Sequence, residues 1–566
     1  MAALDYPNLI AALDAGRGAT HQGFTFIVAE GQEEFLSWDR LRAEAMSRAA
    51  HLRALGLHMG DRLAIVMPDG RDFVPTFLGA TWAGIIPVPL PPPLSLGKLD
   101  SYLGSLAAVM NKAEPAYLAT TAKIEDVLGS AASRVPSLHG VVTAEDLRPE
   151  APARAAREPV EPGADDIAFL QFTSGSTATP RGVEVTHGSL RANAWAIMRD
   201  GLQADSATDS GVSWLPLYHD MGLIGFVLSP VFHKVGVTFI PPLSFVRNAT
   251  IWLDTLHRTR GTISFAPNFA YALAARRARP EQVAKWDLSR VRVLGCGAEP
   301  INPGTLRGFA EKFSACGLRP EALLPSYGLA EATLAVSFDG LDEPLSTDVI
   351  DRDAYERGKR AVSVPRAGLE VNDAVEFVSC GRAFPDHEVG TFDTAGSRLS
   401  DRHVGELWVR GPSVARGYYR DPEASQETFG GGWLRTGDLG YLVDGRIHVT
   451  GRSKDLIIVN GRNYDPQCIE WLADDAPGVR AGSTAAFSVP GTAGEELVVI
   501  VESRTARPEA LQETIKQRVN EQLQLVVSEV VIAPPGSVPK TSSGKVQRAK
   551  ARQQYLDSMG SLLPGE

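Results

Sequence analysis

The sequence predicts an α/β protein, with a large layered N-terminal domain of parallel sheets and subdomains followed by a small α+β C-terminal domain. Three observations carry this. Over roughly the first 450 residues, short apolar runs alternate with amphipathic stretches, the pattern of β-α-β units on a buried sheet. After Thr436 the pattern changes to short strands joined by glycine-containing turns, which reads as antiparallel hairpins. A chain of 566 residues also exceeds what one hydrophobic core serves, so domains of unequal size are expected.

In chain order, RLAIVMP (62–68) is an expected strand, DFVPTFLGATWAG an expected helix and IIPVPL the next strand. The prolines of PVPLPPPLSLG (87–97) favour extended backbone. DIAFLQF, GVSWLPL, GVTFIPP, TISFAP and VRVLGCG repeat the strand signal. Beyond the hairpins, CIEWLADD, STAAFSVPG, ELVVIVES, a helix from Pro508 to about Leu523 and VSEVVIAPP form the compact second domain. We place the two domains at 1–452 and 453–566.

Composition excludes several classes. With 44% hydrophobic and 22% charged residues the chain is neither disordered nor fibrous. A net charge of -11 argues against a general nucleic-acid binder, which needs a basic face. Cys296, Cys316, Cys380 and Cys468 are scattered, without zinc-ligand spacing or a disulfide framework. No run of 18 apolar residues occurs, and the N-terminus lacks a basic region followed by an apolar one. The expectation is a cytoplasmic protein with no transmembrane segment.

Five segments carry chemistry. FTSGSTATPRGVEVTH (172–187) offers backbone N–H groups and hydroxyls that can cradle phosphate, although it is not a Walker loop and also suits a surface turn. PSYGLAEATLAVSF (325–338) sets Tyr327, able to stack on a purine, near Glu331, a carboxylate suited to Mg2+. In WLRTGDLGYL (433–442), Asp438 is an acceptor fit for ribose hydroxyls. GRSKDLIIVNG (451–461) adds Arg452 as a donor. VPKTSSGKVQR (538–548) carries Lys545 in a basic, Gly/Ser-rich stretch.

In this order and at these separations, the segments resemble the adenylate-forming superfamily of acyl-CoA synthetases, peptide-synthetase adenylation domains and luciferases. The resemblance spans nearly the whole chain. It implies ATP and Mg2+ as cofactors and a mobile C-terminal lid. By this resemblance Thr173, Ser174, Gly175, Ser176 and Thr177 handle pyrophosphate, and Gly297, Ala298, Glu299 and Pro300 form the adenine-pocket segment. Ser326, Tyr327, Gly328, Leu329 and Ala330 complete the nucleotide site, Asp438 and Arg452 bind ribose, and Lys454 is the hinge. Lys545 and Glu331 are catalytic, and Glu331 with Thr177 is the metal site.

Within the superfamily, SWLPLYHDMGLIG (213–225), PVPLPPP, GCGAEPI and NGRNYDPQCIE resemble the fatty acyl-AMP ligases. This implies a fatty acid substrate and, as partner, a holo acyl carrier protein presenting a phosphopantetheine thiol. His219 would lie near the substrate carboxylate as a further catalytic residue, and Trp214, Met221, Leu223 and Ile224 would line the acyl passage. The stretch at about 340–377 resembles the subfamily's insertion, which restricts the rearrangement that CoA ligation requires. Ala178 and Arg181 depart from the Gly and Lys usual in the phosphate loop, as Asp465 and Cys468 do from Tyr and Asp further on. A CoA-forming ligase, an amino-acid adenylation domain using Asp220 and a non-catalytic acyl-nucleotide binding protein remain alternatives.

Overall fold

The computed structural model describes residues 5–29, 31–93, 99–148, 158–173, 180–365, 373–459, 462–491, 494–541 and 544–560. Among the described residues, one mixed sheet of fourteen strands dominates the first domain. Its centre is parallel, running in space through Gly23–Ala29, Gly236–Phe239, Ser210–Ser213, Ile263–Ala266, Val293–Cys296 and Leu323–Gly328. Ile263–Ala266 and Val293–Cys296 are buried throughout, which is why they read as continuous apolar runs. Beyond Leu323–Gly328 the sheet turns antiparallel through Ala335–Phe338, Ala374–Ala383, Arg446–Arg452 and Leu434–Val443.

A second, parallel sheet of Ile86–Pro89, Arg62–Ile65, Tyr117–Thr120 and Gly140–Thr143 makes the expected β-α-β unit around the helix Gly70–Trp82. Asp69 caps that helix by accepting from the Arg71 N–H. One expected parallel strand is antiparallel instead. Ile167–Thr173 pairs antiparallel with Arg181–Thr186. The helix after it starts at His187, capped by Thr186 and Ser189.

The second domain has its own core, on both faces of the sheet Val479–Gly491, Gly494–Ser503 and Val527–Ala533. The helices Pro466–Asp474 and Pro508–Leu523 pack on one face, and Arg548–Gly560 on the other. Arg452 ends a strand of the large sheet, and Ile457 is the first residue of the second core. The change of core therefore falls in the turn carrying Lys454. Among the described residues no helix is long and apolar enough to cross a membrane. All four cysteines are free thiols.

Residues 340–377 contribute the strand Thr347–Asp351, paired with Ala374–Ala383, and the helix Arg352–Gly358. This helix reaches the second domain. The Tyr355 hydroxyl donates to Asp465, Asn463 Nδ2 donates to the Glu356 carbonyl at 3.1 Å, and Arg462 lies 3.2 Å from Asp353.

Candidate active site

The carboxyl ends of the parallel strands face the second domain across a cavity of about 2130 Å3. This is where open α/β sheets place ligands, because the loops leaving those ends splay apart. The segments that follow Ser213, Ala266, Cys296 and Gly328 supply His219, Phe269, Glu299 and Glu331 to its wall.

On one side, Tyr327, Asp438 and Arg452 come together from separate strands. The Tyr327 hydroxyl donates to Asp438 Oδ2 at 2.8 Å, and Arg452 Nε donates to Oδ1 at 2.9 Å. Asp438 and Arg452 are cross-strand partners in the hairpin Leu434–Val443 and Arg446–Arg452, so their pairing follows from register. Asp438 raises the pKa of Arg452 and holds its charge. Behind Tyr327, Ser326 Oγ donates to the Cys296 carbonyl at 3.0 Å. Gly297 packs on that serine: a Cβ there would lie 2.4 Å from Ser326 Oγ. Ala298, Glu299 and Pro300 line the cavity, as do Ser326 to Ala330, whereas Gly297 supports the wall from behind.

Glu331 sits in the short turn Ala330–Ala332, which ends at Thr333 with φ +67°. A β-branched residue in that region is held by its surroundings, here by Thr333 Oγ1 donating to the Ser413 carbonyl at 2.7 Å. Burial raises the Glu331 pKa, and a hydrogen bond from the Tyr418 hydroxyl at 2.9 Å opposes the rise. The Arg181 guanidinium lies over the Tyr418 ring, 5.2 Å from its centre. Tyr418 was not legible in the sequence, because it stands 87 residues from Glu331 with no motif linking them. Among the described residues no cluster of three His, Cys, Asp or Glu side chains could cage a metal. Mg2+ needs none where phosphates and water complete its shell, so a single carboxylate fits that ion.

His219 and Asp220 project from the chain leaving Ser210–Ser213, with Nδ1 and Oδ1 2.5 Å apart. Burial pushes the Asp220 carboxyl up, but His219 and then Lys545 outweigh it and set its pKa at about 2. Asp220 is therefore engaged by His219 and Lys545 of this chain. Lys545 enters from the second domain on a tight turn, where the Thr541 N–H donates to the Lys545 carbonyl at 2.7 Å and Gly544 takes φ +92°. Burial lowers the Lys545 pKa, while Asp220, Glu299 and Asp438 favour its charged form. Glu299 Oε1 in turn accepts from the Phe269 N–H at 2.6 Å. Lys454 also lines the cavity, next to Ser453, whose N–H donates to the Gly437 carbonyl at 3.0 Å.

The same cavity continues into an apolar chamber lined by Met198, Leu202, Phe226, Val237, Phe265 and Phe338. Met221 lies on its wall. Trp214 and Leu223 do not. Trp214 is stacked on Phe245 with ring centres 3.7 Å apart, and Leu223, like Ile224, is wholly buried in the core. Thr173 lines the cavity, whereas Ser174, Gly175, Ser176, Thr177 and Ala178 lie outside the described residues.

Fold and site thus define a two-domain enzyme that surrounds a polar nucleotide-sized site and an adjoining apolar chamber with one cavity. The family model for AMP-binding enzymes matches residues 15–419. A protein of Caulobacter vibrioides named "Putative acyl-CoA synthetase" is 38% identical over 98% of this chain and 96% of its own length. A 4-hydroxyphenylalkanoate adenylyltransferase of Mycobacterium marinum is 34% identical over 98% of this chain and 90% of its own. The long-chain-fatty-acid–AMP ligase FadD32 of Mycolicibacterium smegmatis is 35% identical over 95% and 91%. A solved structure from studies of fatty acyl-adenylate ligases of E. coli and L. pneumophila superposes with a TM-score of 0.92 at 36% identity, over 99% of this chain and 100% of that one. The chain belongs to the AMP-binding enzyme family, among the fatty acyl-AMP ligases.

Proposed function

We propose that the protein activates a medium- or long-chain fatty acid with ATP, forming acyl-AMP and pyrophosphate, and passes the acyl group to the phosphopantetheine thiol of an acyl carrier protein. The observation that carries this reading is the continuity of one cavity from Lys545, Asp438 and Glu331 to the apolar chamber at Phe226 and Phe338. A chain buried there directs its carboxylate toward His219 and Lys545.

In the first step a carboxylate oxygen attacks the α-phosphorus of ATP, and the bond to the bridging oxygen of pyrophosphate breaks. Two anions must approach, so the site has to supply positive charge and alignment. Lys545 supplies the charge. Asp438 and Arg452 hold the ribose, and the wall from Ala298 to Pro300 with Tyr327 holds the adenine. A Mg2+ ion would be held by Glu331, with Thr177 assigned to it by the resemblance alone, and would neutralise the phosphates. In the second step the thiol attacks the acyl carbonyl and AMP leaves.

Residues 340–377 support a carrier as acceptor. Contacts of Tyr355, Asp353 and Glu356 tie residues 462–465 of the lid to the large domain, and such ties would oppose its free rotation. A CoA-forming ligase is the second reading, favoured by the name of the Caulobacter relative. The test supplies ATP and fatty acids of increasing length, follows pyrophosphate release, and then offers holo carrier protein or CoA. Acid-dependent pyrophosphate release with loading of the carrier is the expected result. Efficient acyl-CoA synthesis overturns the carrier reading, and release stimulated only by amino acids overturns the acyl one.

A further inference from the structure

At its outer end the cavity opens between the helices Pro242–Arg247 and Asn268–Arg277 of the large domain and the lid. This rim has an unusual chemistry for a chain of net charge -11. Val246 is 64% exposed and Leu243 50%, two large apolar side chains one helical turn apart on the outer surface. Arg276 and Arg277 end the second helix, exposed, and neither forms an ion pair with any described residue. Across the mouth the lid presents Lys550, exposed, and Arg480, which is ion-paired with the buried Glu502 at 3.1 Å. Asp475, an exposed lid carboxylate at the same rim, lies 4.0 Å from Arg518.

Unpaired arginines at the mouth of a site raise the local concentration of an anionic partner and steer its approach. The two exposed apolar side chains beside them make the patch suited to a protein surface and not only to a small ion. We propose that Leu243, Val246, Arg276 and Arg277 form the docking surface for the acyl carrier protein, whose acidic face pairs with the arginines while its phosphopantetheine arm enters the cavity between Phe269 and the lid. The inference rests on the transfer reading above. The arm has a path, because Phe269, Ala272 and Leu273 line the wall from the rim inward to Glu299 and Lys545. On the lid side Gly482 and Gly544 face Phe269 without side chains, and an added Cβ at either would meet it at van der Waals distance, 3.7 and 3.6 Å.

The test uses the full-length protein, ATP, a fatty acid and the acidic acyl carrier protein of fatty acid synthesis in its holo form. Arg276→Glu combined with Arg277→Glu is expected to raise the KM for the carrier by about tenfold or more, and to flatten its dependence on salt. Pyrophosphate release with fatty acid in the absence of carrier is expected within about twofold of wild type, since rim charges act on encounter. The pair Arg276→Ala and Arg277→Ala should give a smaller rise in the same direction. A carrier KM indifferent to charge reversal overturns the surface while leaving transfer intact. Loss of CoA loading in place of carrier loading assigns the arginines to a nucleotide phosphate and overturns it as well. A wild-type protein that makes acyl-AMP but loads no carrier overturns the transfer reading and this surface with it.

Discussion

Replacing Asp465 by Asn should stabilise the protein at and above neutral pH and remove a pH dependence that the wild type carries. Asp465 is buried where the insertion meets the lid, with Oδ2 accepting from Tyr355 and Oδ1 without a hydrogen-bond partner among the described residues. Burial raises its pKa from 3.8 to about 7. A carboxyl with a higher pKa in the folded than in the unfolded chain contributes stability that is complete below 3.8 and is lost as pH rises through 7. The gap of about three pH units, at about 1.36 kcal/mol each, makes the loss on the order of 4 kcal/mol, an upper bound because a buried carboxylate relaxes its surroundings. Asn has nearly the same volume, still accepts from Tyr355 and has no charge to bury. Calorimetric melting of both proteins from pH 5 to 8 reads the difference: the wild-type Tm should fall relative to the variant, which should melt higher at pH 8. Parallel curves over that range would refute the reasoning.

Four further outcomes follow from the site. Lys545→Ala should lower pyrophosphate release by about 10²- to 10³-fold while ATP binding persists, since a preorganised charge is lost; release at the wild-type rate contradicts its assignment. Tyr418→Phe removes the donor to Glu331 and should raise the Mg2+ concentration for half-maximal release by about tenfold or more, as a bond to a charged group contributes about 1.5–3 kcal/mol; an unchanged Mg2+ requirement counts against this. Gly297→Ala places a methyl 2.4 Å from Ser326 Oγ and should raise the KM for ATP at a stability cost of about 1–3 kcal/mol, which ATP titration and melting would measure. Gly225 lines the chamber, and a Cβ there would touch only Leu334 at 3.5 Å, so Gly225→Leu should fold yet shift preference to shorter acids; an unaltered chain-length profile would exclude this part of the chamber from acyl binding.

Sequence legibility followed how tightly chemistry restricts residue type. Asp438, Arg452, Glu331 and Lys545 could be singled out because they lie in short segments whose order and separations together resemble the family, although none of the segments is decisive alone. The apolar chamber was not legible because burial alone restricts residue type little. Apolar character marks burial without saying which surface a side chain meets, so Trp214 and Leu223 resembled Met221 although they face the core. The chamber's walls come instead from Met198, Phe226, Val237 and Phe265, on two helical segments and two strands that only the tertiary fold brings together. The antiparallel pair Ile167–Thr173 and Arg181–Thr186 was read as part of a β-α-β unit because a buried strand has the same composition in either direction.

The departure at Asp465 now has a structural meaning. The large domain's insertion could grip the lid through surface ion pairs alone, such as Arg462 with Asp353, but an exposed pair contributes little. Tyr355 and Asp465 instead make a fully desolvated contact, in which a protonated carboxyl is the favoured state and an ionised one is poorly compensated. The lid rotation that the resemblance implies would expose or re-pair both groups. The energy needed is smaller when Asp465 ionises into water, so higher pH should ease rotation in the wild type. In Asp465→Asn that dependence should vanish, and with it any rise in the rate of thiol acylation between pH 6 and 8 that exceeds the thiol's own ionisation. Measuring carrier loading from preformed acyl-AMP over that range, for both proteins, isolates the lid step from adenylation; identical profiles would mean that the insertion does not govern it.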